Sequence, residues 1–378
     1  MKLPLPTFPD AELEGVLAQL GVTNDGFRAI LLSNQLVASA TSGVWRLSAP
    51  ENSVRRWSVI LKVIHHSSEG HRYWLSSPEV EHPMYWKREA LVLTDPRVQS
   101  EVRHLRAPRV LGIHGGSSGE VRMWLEDAAG TPGGDWCLHD YELAARHLGL
   151  FQGKFLRRGA LPKENWWSRD WVRAYVERRQ DRFASPLPRG LPHPLLGLAF
   201  AEDVSGRVAK IWSTRSDTLD RLDRIPHTLC HHDFWTKNLI QQPTAGGSLT
   251  TVAIDWAYAG IGVPGSDVAT LMSDAINDRF LPCDQTEALS DALFDAYQTG
   301  LSDSGANIDV PALRFAYCAT VSLKYLWIIP DLFAVAARTD PSEPFAAGLV
   351  ELFTARGRFA RHLLALTDEA TALSNTIQ

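Results

Sequence analysis

The sequence predicts an α+β fold in two lobes, a small β-rich N-terminal lobe over residues 1–127 and a larger, mostly helical C-terminal lobe over 128–378. Three observations lead there. Runs of β-branched and aromatic residues crowd the stretch that ends at Asp127. Ala128-Ala129-Gly130-Thr131-Pro132-Gly133-Gly134 is the clearest linker in the chain. Beyond it, nearly every apolar pattern has the helical period.

A chain of 378 residues has the length for two such lobes, and 45% hydrophobic with 21% charged residues is ordinary globular composition. The net charge of −5 comes without a basic stripe, which argues against a nucleic-acid partner. The start, Met1-Lys2-Leu3-Pro4-Leu5-Pro6, has no signal-peptide hydrophobic region, and no apolar run is expected to span a bilayer, so no membrane partner is expected. Cys137, Cys230, Cys283 and Cys318 stand far apart without a CxxC pair. They read as buried thiols of a cytoplasmic protein.

Taken in order, residues 9–32 read as helix, with Leu13, Val16, Leu17 and Leu20 on one face, a break at Gly21, and resumption through Ile30-Leu31-Leu32. Gln35–Ala38 and Val44–Leu47 read as strands around Ser39-Ala40-Thr41-Ser42-Gly43. That turn is either a plain hairpin or a place where Ser42 and Gly43 let backbone N–H groups approach phosphates. Trp57–Ile64 is a strand with Lys62 inside it, and 85–93 is a helix candidate carrying Glu89. Arg109–Ile113 and Val121–Asp127 are two further strands, with Gly115-Gly116 between them.

In the second lobe, helices are expected at about 139–155, from Trp171 to about Arg179, and as a pair over 199–222. Trp166, Trp167 and Trp171 read mainly as core packing, with an aromatic wall for a substrate as the alternative. Asp267 is placed to cap a helix over 268–276, and helices at about 284–299, 311–329 and 343–366 finish the chain. There are no internal repeats, and the last few residues read as disordered.

The chemistry concentrates in His231-His232-Asp233-Phe234-Trp235-Thr236-Lys237-Asn238. A His, an Asp two residues on and an Asn five after that have the spacing of a kinase catalytic loop. There the Asp accepts the proton of an attacking hydroxyl and the Asn holds a magnesium ion. A second acidic element reinforces the motif: Val252-Ala253-Ile254-Asp255 reads as a buried strand ending in a carboxylate, 22 residues after Asp233. A kinase also needs a lysine at the α/β-phosphates, held by a glutamate on a following helix. Lys62 and Glu89, 27 residues apart, supply that pair. A nucleotide base would rest on backbone groups near Trp124–Asp127, with Leu125 and Glu126 at its edge.

These residues together resemble the aminoglycoside phosphotransferase and choline kinase-like superfamily, which shares the protein-kinase-like fold. The likeness covers most of the chain: Val59–Val63, Glu89, Trp124–Asp127, His231–Asn238 and Ile254–Asp267. It implies Asp233 as catalytic base, Asn238 and Asp255 as Mg²⁺ ligands, Lys62 with Glu89 at the phosphates, and His231 and Asp267 as supports of the loop. The chain departs from the pattern at Ala257, at Val263 and at Trp235. Trp235 stands where a cationic or imidazole side chain is often found. None of these removes an essential group.

The leading expectation is therefore a phosphotransferase using ATP or GTP with Mg²⁺ on a hydroxyl of a small molecule. Antibiotics such as aminoglycosides, amino sugars and amino alcohols are the candidate acceptors. Asp284, Glu287, Asp291 and Asp331 would suit a cationic acceptor, or form a solvated face. An alternative acceptor is Ser/Thr of a peptide or protein in natural-product maturation, although no Ala-Pro-Glu segment is present. A nucleotide-binding pseudokinase scaffold would have lost a base or metal ligand, and none is lost. Oligomeric state is not readable from the sequence.

Overall fold

The structure, a computed structural model, describes residues 5–33, 40–71, 73–99, 104–116, 119–159 and 161–375. The chain forms two compact units: Met1–Thr131 with Lys163–Ser168 and Ile240–Ala259, and Pro132–Pro162 with Arg169–Leu239 and Gly260–Gln378.

The first unit is built on a five-stranded antiparallel sheet of order β1-β2-β3-β6-β5. Its strands are β1 (Arg28–Ser33), β2 (Thr41–Ser48), β3 (Ser58–Ile64), β5 (Val110–Gly115) and β6 (Val121–Glu126). Alternation sends Trp45 and Leu47 of β2, and Val59, Leu61 and Val63 of β3, into one core with Trp124. Helix α1 (Asp10–Gln19) closes that core with Leu13, Val16 and Leu17. Each such buried side chain contributes about 1.5–3 kcal/mol. The period of two places Lys62 on the other face of β3 from this core. Helices α2 (Arg88–Thr94) and α3 (Pro96–Gln99) follow. A second sheet has the order β4-β10-β9-β7. Its members are β4 (Leu105–Arg106), β10 (Leu249–Ala253), β9 (Leu239–Pro243) and the short β7 (Thr131–Pro132).

The expected helix over 9–32 is half right. The chain is helical over Asp10–Gln19, but Ile30-Leu31-Leu32 lies in strand β1, with Leu31 opposite Trp45. Three successive apolar residues fit either period, and pairing with β2 decides between them. The expected strand Gln35–Ala38 and the C-terminal residues 376–378 lie outside the described residues.

The second unit is mostly helical: α4 (Leu138–Arg158), α5 (Trp171–Glu177), α6 (Pro194–Ala199), α7 (Ser205–Ser213), α8 (Arg215–Leu222), α9 (Ser266–Asn277), α10 (Thr286–Asp303), α11 (Val310–Tyr325), α12 (Ile328–Ala336) and α13 (Ala347–Ser374). Helices α4 and α10 cross closely because Gly149 and Gly300 face each other's backbones. A Cβ on either would overlap the partner helix. The only strands described here are β8 (Thr228–Cys230) and β11 (Gly260–Gly262), an antiparallel pair. Contrary to the sequence expectation, Val310–Ala336 is long and apolar enough to cross a membrane by length and composition. However, 78% of its apolar window is buried inside the protein, and the helix is interrupted between α11 and α12.

Candidate active site

In the first unit, Lys62 is nearly inaccessible, and its Nζ lies 2.6 Å from Glu89 Oε2 and 2.9 Å from Asp255 Oδ1. Burial alone would push this ammonium down; the Asp255 and Glu89 carboxylates outweigh it and hold it above its ordinary range. Burial pushes Glu89 up, to about 7, against the pull of Lys62, and the Asp255 charge adds to the rise. The lysine is thus the charge that makes two neighbouring carboxylates tolerable. Asp255 follows β10 with φ of 62°, a left-handed conformation that Asp accepts more readily than most residues.

Arg88, one position before Glu89, escaped the sequence reading. It is fully buried and donates to the carbonyls of Trp166 (2.7 Å), Pro83 (2.6 Å), His82 (2.7 Å) and Ala257 (3.4 Å). It ties the helix of Glu89 to the segment just after Asp255. Burial without a carboxylate partner lowers it to about 10.

Ser42 and Gly43 lie at the start of β2. The Ser42 hydroxyl is hydrogen-bonded to His65 Nδ1 at 2.5 Å. Gly43 lies over the Trp45 indole, which a Cβ would strike. Leu125 and Glu126 end β6, where Leu125 pairs with Ile60 and Val110. The Glu126 carboxylate forms an ion pair with Arg106 at 2.5 Å. The Glu126 amide donates to the Arg109 carbonyl at 2.9 Å.

In the second unit, strand β8 runs straight into the loop of Asp233. Asn238 closes a short 3-10 turn and donates through Nδ2 to Asp233 Oδ2 (2.8 Å) and to the Asp233 carbonyl (3.0 Å). Both donors of the amide are used, so its carbonyl oxygen remains to meet a cation. Asp233 N donates to His231 Nδ1 at 3.3 Å. His232 adopts φ of 66° and stacks on Trp171 at 5.9 Å. This Trp, like Trp167, is buried core, as the sequence reading favoured.

Asp267 braces the loop, though not as a helix cap. Gly265, with φ of 94°, holds the N-cap position of α9, and Asp267 sits inside the first turn. Its Oδ2 accepts from His231 N and Gln152 Nε2, both at 2.8 Å, and its Oδ1 accepts from His232 N at 2.7 Å. Burial pushes this carboxyl up to about 6 even so. Gln152 in turn accepts from the Tyr297 hydroxyl, which accepts from Gly265 N at 3.1 Å. Neither Gln152 nor Tyr297 carries a local sequence signal. Lys324 of α11 is also missed: it is buried, donates to Thr270 Oγ1 at 2.7 Å, and its burial cost is opposed by Asp274, Asp233 and Asp267.

A family model described as the phosphotransferase enzyme family matches residues 88–308, more than half of the chain. The match includes Glu89, Asp233, Asn238, Asp255 and Asp267; Lys62 precedes it. No curated protein matches the sequence. Among solved structures, a choline kinase from Cryptosporidium parvum Iowa II is similar at 12% identity over 97% of each chain, with a TM-score of 0.53. Amicoumacin kinase hAmiN, in complex with AMP-PNP, Ca²⁺ and Ami, is similar at 14% identity over 94% of this chain and 95% of that one, with a TM-score of 0.52. The fold is α+β and protein-kinase-like, with an antiparallel sheet in the N-terminal region and helices in the C-terminal region. On the match over residues 88–308, the chain belongs to the phosphotransferase enzyme family.

Proposed function

We propose that the protein moves the γ-phosphate of ATP, with Mg²⁺, onto a hydroxyl of a small molecule. The observation that carries this reading is the tie between Asn238 and Asp233. It fixes a carboxylate in a stated orientation and leaves one amide oxygen for a cation. Asp233 is the base that takes the proton of the acceptor hydroxyl as its oxygen attacks phosphorus. Lys62, oriented by Glu89, offers a fixed positive charge to phosphate oxygens. Ser42 and Gly43 are assigned to the phosphates, and Leu125 and Glu126 to the base, on their places in the family pattern.

The Asn238 carbonyl oxygen and the Asp255 carboxylate are each a hard oxygen donor, the kind Mg²⁺ prefers. When bound, it supplies charge that offsets the phosphates. His231 and Asp267 keep the loop in shape. A GTP donor is tested alongside ATP.

The test is ADP release with Mg·ATP across aminoglycosides, other hydroxylated antibiotics, amino sugars, amino alcohols and hydroxy acids. Turnover that vanishes in Asp233→Asn supports the reading. Failure of Mg·ATP or Mg·GTP to raise Tm would overturn it.

A further inference from the structure

The five-stranded sheet of the first unit is irregular at the residues assigned to the phosphates. Thr41 pairs with Ile64 and Gly43 with Val63, so β2 uses two residues where β3 uses one. Ser42 is the extra residue of a β-bulge. Such a residue stands outside the ladder, and bulges gather beside active sites because they re-aim what the strand presents.

His65, the residue after β3, holds this bulge twice. Its backbone N–H donates to the Ala40 carbonyl at 2.8 Å, and its Nδ1 is hydrogen-bonded to the Ser42 hydroxyl at 2.5 Å. Gly43, next along β2, rests on the Trp45 ring, where no Cβ fits. The two faces of the sheet carry different groups here. Thr41 and Ile64 line a small cavity with Glu89, the partner of Lys62. Ser42 and His65 each lie one residue along, so alternation turns them to the opposite face, that of Leu61 and Val63. The hydroxyl is therefore committed to an imidazole on the face away from the Lys62 ammonium.

Successive backbone N–H groups turned out of a ladder form a concavity that suits an anion. We propose that His65 is a positioning residue for the nucleotide. It anchors the bulge through the Ser42 hydroxyl, so that backbone N–H groups of the bulge, and not the hydroxyl, meet the phosphates. This rests on the phosphotransferase reading and says how the turn at the phosphates is held. A serine hydroxyl has one proton and one direction in which to point. Here both serve the hold on His65, and the serine keeps the shape of the turn.

A hydroxyl used as an anchor and one used as a ligand answer differently to mutation. The measurement is the Kd of Mg·AMP-PNP and of adenosine, by titration calorimetry on the full chain, which needs no acceptor. His65→Phe keeps a ring and removes the nitrogen; Ser42→Ala removes the oxygen. Each should weaken Mg·AMP-PNP by about two- to tenfold, the span of one net hydrogen bond, and leave adenosine unchanged. The double variant should be no weaker than either single one, because both remove the same bond. His65→Asn, with an amide near the place of Nδ1, and Ser42→Thr should restore most of the affinity, and they keep the test open if His65→Phe folds poorly. A loss in Ser42→Ala without one in His65→Phe overturns the inference, since the hydroxyl then reads the phosphates itself. Losses that multiply in the double variant overturn it too, as do equal losses for adenosine or no loss in either single variant. All of these leave the phosphotransferase reading standing. Failure of the unmodified protein to bind Mg·AMP-PNP removes that reading and this inference with it.

Discussion

Asn238 holds Asp233 at two points, its carboxylate at 2.8 Å and its own carbonyl at 3.0 Å, with a single amide group. The side chain thus sets both the path of the loop and the direction of the carboxylate. Replacing Asn238 with Ala should release both. We expect kcat to fall and the Mg²⁺ concentration for half-maximal rate to rise, measured by ADP release against a Mg²⁺ series. EDTA should abolish turnover in either protein.

Asp233→Asn keeps a planar side chain of the same size but cannot take up a proton at neutral pH. General-base catalysis is worth roughly 10²- to 10⁴-fold, and the rate should fall by that order. The Tm rise with Mg·ATP should persist. Loss of that rise would recast Asp233 as a structural element.

Gly262 on β11 faces the catalytic loop. A Cβ there would come within 2.5 Å of His232 Cε1 and 3.2 Å of Cys230 Sγ. Both neighbours are buried, so neither can swing clear. Gly262→Ala should cost about 1–3 kcal/mol, the usual range for overpacking, and lower kcat more than it raises the KM for ATP. Denaturant melts and steady-state kinetics read the two effects.

Gln152→Leu would strip Asp267 of one donor and the Tyr297 hydroxyl of its acceptor. Leaving buried polar groups unmade costs about 1–3 kcal/mol. The catalytic loop, which Asp267 holds by two backbone N–H groups, should loosen with it. Faster amide exchange at His231 and His232 would show this directly.

Asp274 gives a pH test. Burial raises its carboxyl from 3.8 to about 6, against Lys324 and the Tyr325 hydroxyl that donates to it at 2.8 Å. A raised carboxyl means the folded state binds the proton more tightly than the unfolded state. Its stabilising contribution is therefore complete below pH 3.8 and is lost as pH rises through about 6. Asp274→Asn should flatten stability against pH across that window. An unchanged profile in urea melts would count against the assignment.

The residues that sequence could reach are those whose partners are local or whose spacing is fixed by chemistry. Asp233 and Asn238 share one short loop, and Asp255 lies two residues past the end of β10. Lys62 was reached differently: a lone lysine in an apolar strand is ordinarily outward and solvated, and this one stood out because a kinase needs a lysine there, followed by a helix with a glutamate. Gln152 was out of reach because it meets Asp267 from 115 residues away and looks like any polar residue on a helix. Lys324 and Arg88 failed for the same reason: each reads as an ordinary cation until the acids or carbonyls around it are assembled. Asp267 was expected both as a cap of α9 and as a support of the loop, and only the cap fails. Here Gly265 takes the cap and frees the carboxylate to hold another loop. Strand β1 was misread because pairing, not pattern, set its conformation.

The buried Arg88 also bears on the order in which this protein is made. Its acceptors include carbonyls at Trp166 and Ala257, and the unit it belongs to takes in Lys163–Ser168 and Ile240–Ala259. A ribosome that has released only the N-terminal third has therefore not yet supplied the atoms this guanidinium requires. The nascent sheet must wait, with a charged helix unsatisfied, until more than two-thirds of the chain has emerged. A fragment ending at the linker should accordingly be a poor folder and a ready client for chaperones, whatever the quality of its own core.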